Sequence, residues 1–244
     1  IADGEIDNHT SDGDYDNTQT SADSEEVIVV DIDLNDEVLS EHSPLVQAKI
    51  ADVCRVGELD WGNYIRSAFK HQDVGVRWIL GLIDQSKQEG KIKGALLADD
   101  MGLGKTFMAL SAIEHHYQDL NKIAETQKPT LIVAPLTLLE NWKDEVVKTF
   151  QTSPFRDIVI LQSDGELRRF KSGGVEIRSN SNEDGEYEPR YSLNIGKEQP
   201  DRLDMPGRLI ITTYQTLRDY QFSLCLIDWG LVVFDEAQNI KNPN

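Results

Sequence analysis

The sequence has 244 residues, 39% of them hydrophobic, and a formal net charge of −19 at pH 7. This is enough for one large α/β domain, and no apolar run approaches the roughly 20 residues of a membrane-spanning helix. The polar, acidic amino end is not a secretory signal pattern, and two cysteines without CxxC spacing indicate a reduced, intracellular protein.

The acidic charge is concentrated near the amino end. Residues 1–48 hold 14 of the 43 acidic residues and none of the 24 basic ones, so the rest of the chain carries only −5. The total charge therefore does not exclude a local basic groove for nucleic acid. We expect residues 1–48 to be an acidic, partly disordered extension, with one strand at 26–34. It is either a solvated leader or a segment that recruits protein partners.

From residue 49 onward, short apolar runs alternate with helical spacing. Val74, Trp78 and Leu82 are spaced as on one face of a helix, and similar spacing recurs over 107–120 and 138–150. Continuous apolar runs predict buried strands. These runs are 95–98, 131–134, 158–161, 209–213 and 231–234. The alternation predicts an α/β domain with a mostly parallel sheet and helices on both faces.

The regular pattern fails over 163–207, which is rich in Gly, Asn and Pro. A structureless stretch of this length is unusual inside a compact domain, so we expect an insertion with one β-hairpin, from 175–178 and 191–195. Arg168, Arg169 and Lys171 could contact nucleic acid there. The alternative is a solvated excursion without a binding role.

A glycine-rich turn follows the predicted strand 95–98 and opens a helix. Gly102 and Gly104 allow the backbone N–H groups to converge on phosphates, and the positive end of the helix adds to this attraction. Lys105 supplies a charge to the same phosphates, and Thr106 supplies a hydroxyl for Mg²⁺. The general phosphate-loop pattern has Gly at the position of Asp99, so this turn alone is moderate support for nucleotide binding.

Two carboxylates follow the last predicted strand. Asp235 and Glu236 come directly after 231–234, and ligands of α/β sheets bind at the carboxyl ends of strands. Asp235 would hold Mg²⁺, and Glu236 would orient and deprotonate the attacking water. An isolated Asp-Glu pair is more often solvated, but the turn at Lys105 favours a shared site.

Several segments resemble motifs of the Snf2 family of superfamily 2 helicase-like ATPases. Residues 99–106 and 235–242 resemble motifs I and II, and an acidic residue at Asp99 is usual in that family. Residues 71–78 resemble the Q-type motif, 131–142 resemble motif Ia, and 211–214 resemble a later motif of the same lobe. The resemblance covers about 68–244.

The resemblance implies a P-loop NTPase fold, with 49–244 as the first RecA-like lobe, and it implies ATP and Mg²⁺ as cofactors. It implies the following nucleotide-binding residues: Gln72, Asp100, Met101, Gly102, Leu103, Gly104, Lys105, Thr106 and Gln238. Gln72 would read the adenine edge, and Gln238 would couple the nucleotide to a second lobe. The implied nucleic-acid contacts are Pro135, Thr137, Thr213 and Tyr214. Without the resemblance, helix capping and packing would be our expectation for these four.

The resemblance also implies a motor that moves on double-stranded DNA and remodels protein–DNA complexes. The sequence ends soon after motif II, and the family's second RecA-like lobe supplies arginines to the transferring phosphate. We therefore expect these 244 residues alone to bind ATP weakly and to hydrolyse it negligibly. The Gln at 238 leans towards a bacterial protein of the cytoplasm or nucleoid.

Three alternatives remain open at this stage. The first is a strand-separating helicase of another superfamily 2 branch. The second is a GTPase-like switch, although no Asn-Lys-x-Asp segment for base recognition is found. The third is a nucleotide-independent scaffold, against which the intact Lys105, Thr106, Asp235 and Glu236 argue.

Overall fold

The computed structural model describes residues 52–89, 94–98, 102–162, 166–176, 190–199 and 201–239. The predictions for the acidic extension, including the strand at 26–34, lie outside these ranges, as do those for Asp100 and Met101. Within the described ranges, no helix has both the length and the apolar character needed to cross a membrane.

Helices and strands alternate along most of the described chain. The helices are α1 (Lys70–Glu89), α2 (Lys105–Lys122), α3 (Leu139–Thr149), α4 (Leu167–Phe170), α5 (Tyr214–Asp219) and α6 (Gln221–Cys225). The strands are β1 (Thr130–Val133), β2 (Asp157–Leu161), β3 (Lys171–Glu176), β4 (Arg190–Leu193), β5 (Arg208–Thr212) and β6 (Leu231–Phe234). Short 3-10 turns are formed by Leu136–Leu138 and Ala237–Asn239.

Four strands form a parallel sheet in the order β2-β5-β1-β6. Thr130 at the start of β1 pairs with Leu209 on one side and Leu231 on the other, so the carboxyl ends of the strands share one edge. Every residue of β1 and β5 is buried, as expected for strands covered on both faces. The predicted α/β fold of a RecA-like lobe is confirmed.

Alternating strand residues contribute to two hydrophobic clusters, one on each face of the sheet. Ile132, Leu209 and Ile211 pack with α1, α2 and α3 on the first face. Leu131 and Ile210 pack on the second face with α4, β4 and the α5–α6 region. This arrangement explains why apolar runs without alternation were readable as buried strands.

The orientation of α2 matters for the site. Near its carboxyl end, the hydroxyl of Tyr117 donates to the carbonyl oxygen of Lys128 at 3.0 Å and lies 2.8 Å from the Thr130 hydroxyl. The end of α2 therefore lies at the amino edge of the sheet. Residues along α2, from Phe107 to Leu120, belong to the first cluster, so the helix lies against the sheet and, at about 1.5 Å per residue, extends well away from that edge. Its first residue, Lys105, therefore lies towards the carboxyl edge.

The prediction of a strand at 95–98 is wrong. Residues 94–98 have no regular secondary structure, and the side chain of Leu96 is 74% exposed, although Leu97 packs against the first cluster. An apolar run becomes a strand only when a neighbouring strand pairs with it, and none of the four described sheet strands pairs with this segment. The predicted strand at 209–213 ends one residue earlier, at Thr212.

The insertion contains the predicted hairpin strands, with different bounds. β3 and β4 pair antiparallel, and Val175 lies opposite Tyr191. The base of the insertion is not a solvated excursion, because Phe170, Leu193 and Leu203 are buried in the second cluster. Arg169 pairs with Asp201 at 3.3 Å, so the proposed nucleic-acid contact by its guanidinium would compete with an existing ion pair.

An ion pair between buried Arg208 and half-exposed Asp157 lies at the amino edge of the sheet. The guanidinium of Arg208 donates two hydrogen bonds to the Asp157 carboxylate, at 2.9 and 2.7 Å. These hydrogen bonds, followed by the positive charge of Arg208, hold the pKa of Asp157 below its ordinary value of 3.8. The pair therefore stabilises the fold above about pH 4, and the contribution is lost as the pH falls through the lowered pKa.

Replacing Asp157 with Asn is expected to lower the free energy of unfolding at pH 7 by about 0.5–1.5 kcal/mol, less than a fully buried charged hydrogen bond contributes, because the Asp157 side chain is 40% exposed to solvent. The deficit should shrink below about pH 4, as the pH falls towards the lowered pKa of the wild-type carboxyl. Urea unfolding of both proteins at pH 7 and pH 3 measures this difference. An equal deficit at both pH values would contradict the assignment.

Candidate nucleotide-binding site

The turn before α2 has the backbone of a phosphate-binding loop. Gly102 and Gly104 have φ values of 87° and 86°, in the left-handed region that favours glycine. Gly104 is the N-cap of α2 and, as glycine, contributes no side-chain cap to this helix start. The first N–H groups of a helix have no partner within the helix, so this end is suited to an anion. Lys105 and Thr106, in the first turn, are half-buried.

Gln72 on α1 braces this turn. Its side-chain amide donates to the Leu103 carbonyl oxygen at 3.1 Å, and its amide oxygen accepts from the Phe69 backbone N–H at 3.1 Å. Gln72 is only 3% exposed. The structure thus places the predicted adenine reader against the phosphate loop. An amide group can form further hydrogen bonds, so these two contacts do not exclude a contact with adenine. The adenine contact itself stays a prediction.

Glycine is favoured at position 104 by its left-handed backbone and by the close Gln72 side chain, and substitutions can separate these two effects. A Cβ atom at Gly104 would lie 2.3 Å from the Gln72 amide nitrogen, whereas a Cβ atom at Gly102 would meet nothing within 4 Å. Gly102→Ala should therefore cost only the left-handed backbone, about 1–2 kcal/mol. Gly104→Ala should cost more and should also weaken nucleotide binding.

Thermal unfolding and ATP-analogue binding of both variants measure the difference. Adding Gln72→Ala to the Gly104→Ala variant removes the clashing atom and is expected to restore part of the lost stability. Equal losses in Gly102→Ala and Gly104→Ala would show that the Gln72 contact has no role.

The candidate site has two corners. The 102–106 turn is the first, and the Asp235–Glu236 pair at the carboxyl end of β6 is the second. The Asp235 backbone N–H donates to the Val133 carbonyl oxygen at 2.8 Å, which places Asp235 beside the end of β1. Glu236 is exposed and has a φ of 53°, one of two non-glycine residues with positive φ in the described ranges. Such backbone conformations cost about 1–3 kcal/mol and cluster at functional sites. Gln238 donates a side-chain hydrogen bond to the Glu236 carboxylate.

Two further residues hold Asp235, and sequence reasoning assigned neither to this role. The indole Nε1 of Trp142 on α3 donates to Asp235 Oδ2 at 2.8 Å. The hydroxyl of Tyr214 donates to the Asp235 carbonyl oxygen at 2.7 Å, and its ring stacks on Phe234. Burial, followed by the charges of Asp235 and Glu236, raises the pKa of Tyr214, so its hydroxyl stays protonated as a donor.

The four predicted nucleic-acid contacts differ in how available they are. Thr213 is 9% exposed, and its hydroxyl accepts from the Thr216 N–H as the N-cap of α5. A nucleic-acid contact by the Thr213 side chain therefore has no support in the structure, and the Tyr214 hydroxyl is already bonded to Asp235. Pro135 is half-buried and Thr137 is exposed, in the 3-10 turn that leads into α3. Thr137 caps neither that turn nor α3.

Arg66 links the first turn of α2 to α3, the helix whose Trp142 contacts Asp235. The guanidinium of Arg66 lies 4.1 Å from the ring centroid of Phe107, in the first turn of α2. Arg66 also pairs with Glu145 on α3 at 3.5 Å. Glu145 is one turn along α3 from Trp142, so both corners of the candidate site are anchored to the same helix.

The residues present fit a magnesium–triphosphate. The glycine-lined start of α2 suits phosphate, and carboxylate and hydroxyl oxygens are the ligands that Mg²⁺ prefers. Asp235 Oδ2 accepts the hydrogen bond from Trp142, and none of the described residues donates a hydrogen bond to Oδ1. No group of three or more His, Cys, Asp or Glu side chains in the described ranges could hold a metal by itself. A magnesium ion here would therefore depend on phosphate oxygens and water as well.

A comparison with family models decides the relationship. The model described as the SNF2-related domain matches residues 71–244, the range that contains both corners of the candidate site. The chain belongs to the SNF2-related domain family. The predicted resemblance is confirmed, and the SNF2-related chain is a helicase-like, ATP-binding lobe.

Curated relatives agree with this assignment. Zorya protein ZorD of Escherichia coli is 37% identical over 179 residues, which are 71% of this chain and 14% of ZorD. ATP-dependent helicase ULS1 of Saccharomyces cerevisiae is 30% identical over 185 residues, 72% of this chain and 11% of ULS1. The human DNA excision repair protein ERCC-6 is 31% identical over 191 residues, 75% of this chain and 10% of ERCC-6. This SNF2-related chain thus spans a small part of each relative.

Proposed function

We propose that this chain is the ATP-binding lobe of a DNA-dependent ATPase that moves on double-stranded DNA and remodels protein–DNA complexes. The observation that carries the proposal is the placement of two complementary features towards one edge of the sheet. These are the glycine-lined start of α2 and the Asp235–Glu236 pair that directly follows β6. The names of ULS1 and ERCC-6, which refer to ATP and to DNA repair, support the same class.

Each corner has a distinct chemical task in this proposal. The N–H groups of the 102–106 turn bind the β- and γ-phosphates, and Lys105 adds a positive charge. Thr106 and Asp235 are the side chains that would hold Mg²⁺, which would neutralise phosphate charge when bound. Glu236 orients the attacking water and accepts its proton. Gln238 keeps the Glu236 carboxylate in place through its hydrogen bond.

The nucleic-acid side of the proposal centres on the exposed turn at Leu136–Leu138. Leu136 is 59% exposed and Thr137 is exposed, at the carboxyl end of β1 and near Asp235. Binding dominated by phosphate contacts should weaken steeply as the salt concentration rises. Partners recruited by the acidic extension, and a location in the bacterial cytoplasm or nucleoid, belong to the proposal as well.

The test is the steady-state ATPase rate of the full-length protein with and without double-stranded DNA. We expect DNA to stimulate hydrolysis, and we expect the stimulation to fall between 50 and 200 mM salt. A rate that DNA does not change would contradict the proposal. The 244 residues alone should hydrolyse ATP about 10³-fold more slowly or worse, as expected without arginines from a second lobe.

A strand-separating helicase is the second candidate, and the name of ULS1 favours it. The two candidates differ in what they displace from DNA. A translocase displaces the third strand of a triplex but does not separate a duplex, whereas a strand-separating helicase releases a labelled strand from a forked duplex. Running both assays on the same preparation with ATP decides between them.

A further inference from the structure

We propose that Trp142 is a positioning residue for the magnesium site, which it serves by fixing the Asp235 carboxylate. This inference rests on the proposed function, because it assigns a task to a residue beside the ATP site. Sequence spacing places Trp142 with Val146 in the hydrophobic core, and both are indeed buried there. Packing in the core explains the burial of the Trp142 ring, but it does not explain the position of the indole N–H group.

The geometry directs that polar end at one oxygen atom. Trp142 is 3% exposed, and its Nε1 lies 2.8 Å from Asp235 Oδ2, a good length for a hydrogen bond to a carboxylate. An indole N–H can only donate, so Trp142 binds the charged carboxylate and cannot replace it as a metal ligand. With Oδ2 engaged, Oδ1 is the oxygen left to face an ion.

The backbone of Asp235 is fixed as well. Its N–H donates to the Val133 carbonyl oxygen at 2.8 Å, and its carbonyl oxygen accepts from the Tyr214 hydroxyl at 2.7 Å. With both backbone groups held, the main freedom left to Asp235 is rotation of its side chain. The hydrogen bond from Trp142 removes that rotation, so the carboxylate is oriented before any ion arrives.

Groups that orient a metal ligand usually matter nearly as much as the ligand. Removing such a hydrogen bond commonly costs about 10- to 100-fold in metal affinity. A residue that only fills the core would instead change stability and leave the metal dependence of nucleotide binding unaltered. The two roles therefore predict different results for a substitution that keeps the aromatic ring and removes the N–H group.

The test is Trp142→Phe in the full-length protein, with ADP binding measured in excess Mg²⁺ and in excess EDTA. We expect the Kd for ADP in Mg²⁺ to rise about 10- to 100-fold, and the Kd in EDTA to stay within about twofold of wild type. Unchanged binding in EDTA also shows that the variant is folded. In an Asp235→Asn background, Trp142→Phe should have little further effect, because its target carboxylate is already gone.

Trp229→Phe is the matched control. The indole of Trp229 also donates one hydrogen bond of 2.8 Å, to the Leu224 carbonyl oxygen, and Trp229 precedes β6, at the opposite end of that strand from Asp235. We expect both ADP affinities of this variant to match wild type. If wild-type binding of ADP does not depend on Mg²⁺, the proposed function fails. If it does and Trp142→Phe behaves like wild type, only the role of Trp142 fails.

A second measurement covers the case in which Trp142→Phe does not fold. In protein labelled with 5-fluorotryptophan, the ¹⁹F resonance of Trp142 should shift when Mg²⁺ is added to the ADP complex, and the resonance of Trp229 should not. The shift should disappear in Asp235→Asn. If the Trp142 resonance of the wild-type ADP complex does not shift when Mg²⁺ is added, the inference is overturned.

Discussion

Replacing Glu236 with Gln is expected to lower the rate of ATP hydrolysis by about 10²- to 10⁴-fold, the usual contribution of a general base. Gln has the same shape and can still accept the hydrogen bond from Gln238, so the substitution mainly removes the charge that accepts a proton. It also keeps a side chain at the left-handed position with a φ of 53°, so the backbone cost is similar in both proteins. Binding of ATP and Mg²⁺ should be retained.

Single-turnover hydrolysis by the full-length protein with saturating DNA measures this effect, and ATP binding is measured in parallel. Glu166→Gln is a suitable control, because Glu166 is exposed, forms a weak ion pair of 3.8 Å with Arg169, and follows β2, which two strands separate from β6 in the sheet. A Glu236→Gln variant that hydrolyses ATP at the wild-type rate would show that another group activates the water.

Replacing Lys105 with Ala is expected to lower hydrolysis by about 10²- to 10³-fold, since one fixed charge on the transferring phosphate is removed. It should also weaken ATP binding by about 10- to 150-fold, which corresponds to the 1.5–3 kcal/mol of a hydrogen bond to a charged group. This second effect separates Lys105 from Glu236, whose loss should leave binding intact.

Lys122→Ala at the other end of α2 is the control for this substitution, because Lys122 is on the same helix, is well exposed and forms a surface ion pair with Asp119. Its hydrolysis and binding should match wild type. If the cellular function of the full-length protein survives Lys105→Ala, the motor interpretation fails and the scaffold alternative is supported.

The sheet and the order of the motifs were predictable because their signals are local. Runs such as 131–134 and 209–213 are apolar at every position, which is typical of strands buried on both faces, and the structure buries them so. The hairpin in the insertion was also predicted, although not its packed base. That base depends on Phe170 and Leu203, whose neighbours are distant in the sequence.

The local pattern failed where a distant partner decides the outcome. Residues 95–98 are as apolar as the true strands, yet no described sheet strand pairs with them. Trp142 has the spacing of a core residue, and its hydrogen-bond acceptor is 93 positions away. At Thr213, by contrast, the local expectation of a helix cap is met, because its hydroxyl caps α5, and the nucleic-acid contact that the resemblance implies stays a prediction. The left-handed backbone of Glu236 has no sequence signal, because non-glycine residues seldom adopt it.

The most direct test of the central claim is an experimental structure of the full-length protein with Mg²⁺ and a non-hydrolysable ATP analogue. We predict that the β- and γ-phosphates lie on the N–H groups of the 102–106 turn, with the ion bound to the Thr106 hydroxyl. We also predict that Asp235 Oδ1 contacts the ion directly or through one water. A triphosphate bound elsewhere, or an ion with no link to Asp235, would contradict the account.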